Sequence, residues 1–562
     1  MKYGISIDNY KYNDSNKIEI ENNYFYILTY TNTMKSIQVE NLKSLVKTPK
    51  IEIKPITILV GKNSSGKSTF LRTFPLFKQS VEENIKAPIL FCGNYVDFGE
   101  FGEIRNKSTK NDSITFTIES EIDQKSLLNN AYRYSFNLSK FMDQNSNEIL
   151  PIKFISKIKN KVKNVRNTYL ESFKISIADQ NLDFKFDEDS KLIDLNINDE
   201  SFKDFLADIY STNSGLVPNL ITKISLDKNY IYSHSWVFPQ FQEQSRYERL
   251  VKIIKKHVYN TTSDENIADI VRSISIGSKS FTLSSCKNDF LKTKTWIKKA
   301  KTWTTDSKEF QSVNNALLFE NFMSMVNFIG NHFKLYSQRI NYISPFRASP
   351  ERYYRHQELA VHNIDPQGKN TAIFLDNLTN RQKKNLEEWT DNNFDIKLKT
   401  TYKSGHLSIE LKENKSDFYI NIADIGFGYS QLLPIIIQLW FKTTKDHKDI
   451  IFETGYETFA IEQPELHLHP KMIGHFTDLL VKLISSNHLK ETNIKLIIET
   501  HSKSLINRIG QHIAKKNITP DSVNVVIFDN KNGYESNIDI AKFNDKGMLN
   551  NWPANFFLPE RF

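Results

Sequence analysis

Apolar stretches are spaced in two ways along this chain, and the difference divides it. Apolar residues predict a strand at Ser36–Leu42 and a second at Ile56–Val60. The Ile-Thr-Ile-Leu-Val run of the second has the content of a buried parallel strand. A glycine-rich turn and a helix come next, then FCGNYVDFGEFGEI. From about Asn106 the spacing becomes irregular, mixing short strands such as Ser113–Glu119 and Leu182–Phe186 with lysine-rich stretches read as helical. After NYISPFRASPERYY regular spacing returns: a strand-rich piece, a helix, a buried strand, another helix and another buried strand. The pattern predicts one α/β domain split by a large mixed α+β insertion. Its divisions are an N-terminal extension (1–35), a first core part (36–105), the insertion with basic helical stretches (106–335) and a second core part (336–562).

The turn after the second strand reads GKNSSGKST, Gly61 to Thr69, and fits G-x-x-x-x-G-K-[ST] at every fixed position. Gly61 and Gly66 permit conformations that aim backbone N–H groups at phosphate oxygens, at the start of a helix whose dipole favours anions. Lys67 is placed to reach β- and γ-phosphates, and the Ser68 hydroxyl to ligate Mg2+. A chance Gly/Ser/Lys loop would lack the strand before it and the FLRTF helix after it. Gly61, Lys62, Asn63, Ser64, Ser65, Gly66, Lys67, Ser68 and Thr69 are therefore the expected ATP-binding set, and the fold class is a P-loop NTPase.

Three later segments follow in an informative order. Thr458–Ile461 is a short apolar strand ending on Glu462, which suits a carboxylate near a magnesium-bound water. Leu496–Ile498 leads to Glu499-Thr500-His501-Ser502, a second buried strand ending in a histidine. Just upstream of both, IADIGFGYSQLLPI opens a helix, with Gly428 and Ser430 near its start. Each is weak alone, since apolar strands ending in Glu and capped helices are common. Phosphate loop, acid strand and histidine strand follow in an order that resembles ABC-type ATPases, and that resemblance implies a γ-phosphate role for His501 and an anion-binding helix start at Gly428 and Ser430.

GKNSSGKST, FCGNYVDFGEF, ISPFRASPERYY, ADIGFGYSQLLP, IEQPELHLHP, ETHSKSL and the terminal NWPANFF together resemble the ABC-type ATPases of the SMC and OLD superfamily. Within it the chain is most similar to PtuA, the ATPase subunits of Septu antiphage systems, including those attached to retrons. The resemblance covers roughly 36–105 and 336–562. It implies a cytoplasmic ATPase that pairs head to tail, Ser430 of one copy meeting the γ-phosphate held by the other. It also implies a separate HNH nuclease as partner and, in retron versions, a reverse transcriptase with its DNA–RNA product. Glu462 stands where many relatives carry a metal-organising Asp. Gln463 stands where the general-base Glu usually sits, and an amide cannot take a proton from water near neutral pH, though it can orient one. Glu465 or His501 would substitute, and hydrolysis is expected to be slow or conditional.

Composition trims the alternatives. The 74 Lys+Arg against 65 Asp+Glu leave a net charge of +9 over 562 residues, modest unless the lysines cluster. Two stretches concentrate them: Lys153–Asn167 and Lys292–Trp303, the second interleaving Lys294, Lys298, Lys299 and Lys301 with Trp296 and Trp303. A solvated helix face with core tryptophans competes there with a patch for nucleic acid or an acidic partner. Cys92 and Cys286 form no CxxC, which fits a reducing compartment without a zinc site. The longest apolar run, Leu432–Trp440, is far short of the roughly 20 residues of a membrane span. An SMC-like DNA-repair ATPase and a nucleotide-sensing scaffold stand as alternatives. Long heptad arms and a CxxC hook are missing for the first, and Gln463 favours the second. A self-sufficient nuclease would need clustered metal ligands, and the tail after His501 offers only scattered Asp residues.

Overall fold

The computed structural model describes residues 33–123, 149–161, 167–206, 208–212, 215–226, 229–233, 240–288, 293–361, 363–414, 416–444, 455–485, 492–530 and 533–552. The N-terminal extension to residue 32 and all of NWPANFF beyond Trp552 lie outside this set.

A seven-stranded sheet carries the nucleotide motifs, in the order Ile340–Ile343, Gly455–Glu462, Thr492–Glu499, Ile56–Gly61, Val523–Asn530, Ser536–Phe543, Leu549–Asn550. The first five strands pair in parallel and the last two add antiparallel. All six residues of Ile56–Gly61 are buried, as a central parallel strand covered on both faces requires. The helix Phe427–Thr443 supplies part of that cover through Leu432, Leu433, Ile436 and Trp440. Parallel pairing sets the strand ends that carry Glu462, Glu499 and the phosphate loop at one edge of the sheet. This is an α/β P-loop fold.

A second sheet, antiparallel throughout, runs Glu200–Ser201, Leu192–Ile197, Gln180–Phe186, Thr168–Ile177, Ile149–Asn160, Ser113–Asp123, Thr33–Leu42, Leu45–Lys47, with Ile51–Glu52 also beside Thr33–Leu42. The sequence division at 105/106 therefore falls inside a sheet. Thr33–Leu42 from the first core part pairs directly with Ser113–Asp123 of the expected insertion, from Thr33 opposite Glu121 to Glu40 opposite Thr115. Both ends of the chain's first third share one hydrophobic cluster with the long helix Lys308–Gln338. Phe333 of that helix meets Phe77 and Phe154 edge-on, at centroid distances of 5.6 and 5.3 Å. Phe77 lies on Thr73–Glu82, the helix that continues from the phosphate loop, so the second sheet is packed onto the nucleotide site's own support.

Of the lysine-rich stretch Lys153–Asn167, the part up to Asn160 is strand and not helix, and residues 162–166 lie outside the described set. Ile149–Asn160 is a strand whose Ile152, Phe154, Ser156 and Ile158 face the core while Lys153, Lys157 and Lys159 point outward. The period is two, and the lysines masked it. They are also paired: Lys157 with Glu171 at 2.8 Å, Lys159 with Asp112 at 2.7 Å and Lys153 with Glu119 at 4.0 Å. Cross-strand acids thus offset the charges of Lys153, Lys157 and Lys159. In the other stretch, Lys294–Ala300 is helical, with Trp296 and Trp303 buried 5.2 Å apart in a T-shaped pair. These indoles belong to the core and do not face a base. Among the described residues no helix is long and apolar enough to cross a membrane.

Candidate functional site

The phosphate loop is held open by glycine. Gly61 and Gly66 adopt φ of 156° and 98°. A side chain at Gly61 would lie 2.1 Å from the Phe528 carbonyl oxygen, and one at Gly66 2.5 Å from the Ser536 hydroxyl. Only a residue without Cβ lets this loop close against the Val523–Asn530 and Ser536–Phe543 hairpin. Ser64 takes a left-handed φ of 58° beside exposed Lys62 and Asn63, so the crown of the loop is open while Ser65, Gly66 and Lys67 are buried. The Ser536 hydroxyl donates to the Ser65 carbonyl at 2.7 Å, tying the loop to the hairpin. Thr69, the third residue of the helix Lys67–Leu71, is half-buried.

Lys67 folds back under the crown. Its ammonium donates to the carbonyls of Gly61 at 3.0 Å and Lys62 at 2.5 Å. Burial lowers its pKa, and the carboxylates of Glu499 and Glu465 oppose that shift. A buried ammonium resting on two loop carbonyls is the arrangement expected of a lysine waiting for phosphate oxygens. The cradle and its cation fit an ATP phosphate chain.

Strand-end carboxylates stand beside it. Glu462 and Glu499 are register partners on neighbouring strands, and Glu499 is in turn opposite Leu59 on the phosphate-loop strand. The Ser68 hydroxyl donates to Glu499 Oε1 at 2.8 Å. The other oxygen, Oε2, is buried without a hydrogen-bond partner. Burial, together with the Glu462 charge, pushes the Glu499 carboxyl up to about 7. Glu462 is differently employed: Arg72 Nε and Nη2 donate to its Oε1 and Oε2 at 2.7 and 2.9 Å, and the Tyr342 hydroxyl donates to Oε1 at 2.8 Å. The hydrogen bond to Glu462 raises the Arg72 pKa, and burial raises that of Tyr342.

The residues after Glu462 form a second layer. Gln463 has a left-handed φ of 43°, its N–H donates to the Glu499 carbonyl at 2.8 Å, and its own carbonyl accepts from Arg347 at 3.1 Å. Glu465 Oε1 accepts the His501 backbone N–H at 2.6 Å while Oε2 is buried and unpartnered. Burial raises the Glu465 carboxyl above the usual range and brings Arg347 down to about 10. His501 is exposed, and desolvation with the nearby Lys67 charge lowers its imidazole pKa. Glu465 and His501 are thus brought together, and both sense Lys67.

The helix Phe427–Thr443 starts at Gly426. Ser430 is buried and Gly428 half-buried, leaving Asp424 and Gly426 as the open positions of the segment. A Cβ at Gly428 would lie 3.4 Å from the His467 carbonyl, which sets this helix against the LHLHP turn. Asp424 pairs with Arg352 of the SPERYY stretch. Sequence reasoning missed four participants: Arg72, Tyr342, Arg347 and the role of Glu499. All four lie in quoted segments, Arg72 in FLRTF, Tyr342 and Arg347 in NYISPFRASPERYY and Glu499 in ETHS, but the segments do not disclose which of them pair.

A family model for an AAA ATPase domain matches residues 34–506. Two solved structures are similar: the Smc head bound to the C-winged helix domain of ScpA and the SMC head domain from Thermotoga maritima. The first aligns at TM-score 0.32 and 10% identity over 91% of this chain and 98% of that one. The second aligns at 0.33 and 10% over 90% and 98%. No curated protein matches.

Proposed function

The chain belongs to the AAA ATPase domain family, and from that premise we propose that it is the ATP-dependent regulatory subunit of a cytoplasmic antiphage complex, controlling a separate HNH-type nuclease. The observation that carries the ATP part is the Lys67 ammonium, buried on the Gly61 and Lys62 carbonyls beside a Ser68 hydroxyl held by a strand-end carboxylate. Bound ATP exchanges those carbonyls for phosphate oxygens. Ser68 and a strand-end carboxylate would hold magnesium, which would neutralise charge on the β- and γ-oxygens. Glu465, half-buried and joined to the His501 backbone, is the group suited to accept a proton from the attacking water; Gln463 orients it.

The regulatory part rests on the motif resemblance to Septu ATPase subunits. Two copies pair head to tail, and a retron reverse transcriptase with its DNA–RNA product is a further partner. Among the described residues no group of three or more His, Cys, Asp or Glu side chains is arranged to hold a metal ion. Purified chain with magnesium or manganese and ATP should leave DNA and RNA intact, and cleavage should appear on adding the nuclease subunit, with ATP state setting its extent. Cleavage by the chain alone that vanishes on mutation outside the ATP site would overturn the assignment.

A second reading, a nucleotide-sensing scaffold with little hydrolysis, is favoured by Gln463, whose side chain cannot serve as a base. Steady-state phosphate release separates the two.

A further inference from the structure

We propose that Glu499, and not Glu462, is the carboxylate that shares magnesium with Ser68 when ATP is bound; the inference rests on the ATP-site reading above. The two acids end adjacent strands, yet their surroundings differ in kind. Both oxygens of Glu462 are already taken. Arg72 grips them in a fork at 2.7 and 2.9 Å, and Tyr342 adds a third donor. A cation at Glu462 would have to displace a bidentate guanidinium from a side chain that is 2% exposed.

Glu499 is the reverse case. One oxygen accepts from Ser68, the hydroxyl that the phosphate-loop motif assigns to the metal. The other is buried with no donor at all, on a residue 1% exposed. A buried carboxylate oxygen without a partner is costly, and an ion bound there is one arrangement that removes the cost. Position agrees with chemistry. Glu499 lies on the strand next to the phosphate-loop strand, whereas Glu462 lies one strand, about 4.8 Å, further out. Magnesium is commonly held by one or two carboxylates with substrate phosphates and waters, so Ser68, Glu499 and the β- and γ-oxygens make a sufficient set. Glu462 then becomes a positioning residue. It fixes Arg72, which sits between the phosphate-loop helix Lys67–Leu71 and its continuation Thr73–Glu82.

The test uses the full chain with a non-hydrolysable ATP analogue, Mn2+ binding read by electron paramagnetic resonance, and analogue affinity measured separately in EDTA. Glu499→Gln should weaken Mn2+ by at least roughly tenfold, and Glu462→Gln should leave it within about threefold. Metal-free analogue binding should be retained in both. Should Glu499→Gln fail to fold, Glu499→Asp keeps the charge but shortens the reach, and undiminished Mn2+ affinity in that variant counts against the proposal. Loss of Mn2+ in folded Glu462→Gln with retention in Glu499→Gln would overturn it. Wild-type chain that binds no analogue in EDTA or with metal would remove the ATP site itself. Normal analogue binding with Glu499-insensitive Mn2+ would remove only the assignment of Glu499.

Discussion

Arg72 and Glu462 meet as a two-pronged ion pair, Nε to Oε1 at 2.7 Å and Nη2 to Oε2 at 2.9 Å, between the phosphate-loop helix and the end of the acid strand. The pair joins the phosphate-loop helix to the nucleotide sheet. It also removes from the metal site the carboxylate that a strand-end pattern would nominate for it. Structure and catalysis are thereby divided between two glutamates that face each other across adjacent strands.

Breaking this pair from the arginine side should be expensive. Arg72→Ala leaves Glu462 buried with only Tyr342 for company. The expected loss is roughly 3 kcal/mol, the low end for a stranded buried charge because water reaches Arg72. Removing the charge as well, in Arg72→Ala with Glu462→Gln, should cost less than Arg72→Ala alone. Urea denaturation midpoints measure both. A single variant as stable as wild type would mean the fork contributes nothing.

Lys67→Ala should leave the fold intact and weaken ATP by about 3 kcal/mol, over a hundredfold, since charge-assisted contacts to two phosphates disappear together. Calorimetric or fluorescent-nucleotide titration gives the number. Unchanged affinity would dismiss the phosphate loop.

What the sequence discloses here depends on how local the signal is. GKNSSGKST is legible because a tight anion cradle imposes fixed residues at fixed spacing, and the strand and helix around it are contiguous. Glu462 is legible as a strand end but not as an ion-pair partner, because Arg72 is 390 positions away in the chain. The Ile149–Asn160 strand escapes for another reason: outward lysines at every second position resemble a charged helix until Asp112, Glu119 and Glu171 are seen opposite them. The shared sheet likewise depends on Thr33–Leu42 pairing with a strand some 70 residues on, which no window of local sequence contains.

Lys495 predicts a pH dependence of stability. Its ammonium donates to the Met34 carbonyl, fastening the nucleotide sheet to the second sheet. Burial, aided by the Lys35 charge, brings its pKa down to about 7 from an unfolded value of 10.5. Between those values the unfolded chain binds more protons than the folded one, so this residue makes stability rise as pH increases from about 7 toward 10.5. At lower pH both states are protonated, and the cost of burying the charge is present in full. Lys495→Met should flatten the rise, which can approach about 1.4 kcal/mol per pH unit. Denaturation midpoints at pH 7, 8 and 9 test this; a slope equal in variant and wild type assigns it elsewhere.

The catalytic base is the point on which the slow-hydrolysis reading turns. Gln463 is fixed by its backbone, between the Glu499 carbonyl and Arg347, and its amide can orient water without taking a proton. Glu465 has one oxygen on the His501 N–H and the other buried and unpartnered, and burial raises its carboxyl above the usual range. Glutamine at 465 keeps an acceptor for the His501 N–H, so Glu465→Gln should preserve the loop and ATP affinity while lowering kcat by about a hundredfold or more. Gln463→Glu should raise kcat or leave it unchanged, because it restores a carboxylate one residue after Glu462. The two substitutions separate base from scaffold: hydrolysis that persists in Glu465→Gln and also in Glu465→Gln with His501→Ala would place the proton acceptor on neither residue. Hydrolysis that falls in Glu465→Gln with ATP affinity unchanged assigns the proton to Glu465, and assigns the slow rate to a base that stands two residues beyond the usual position.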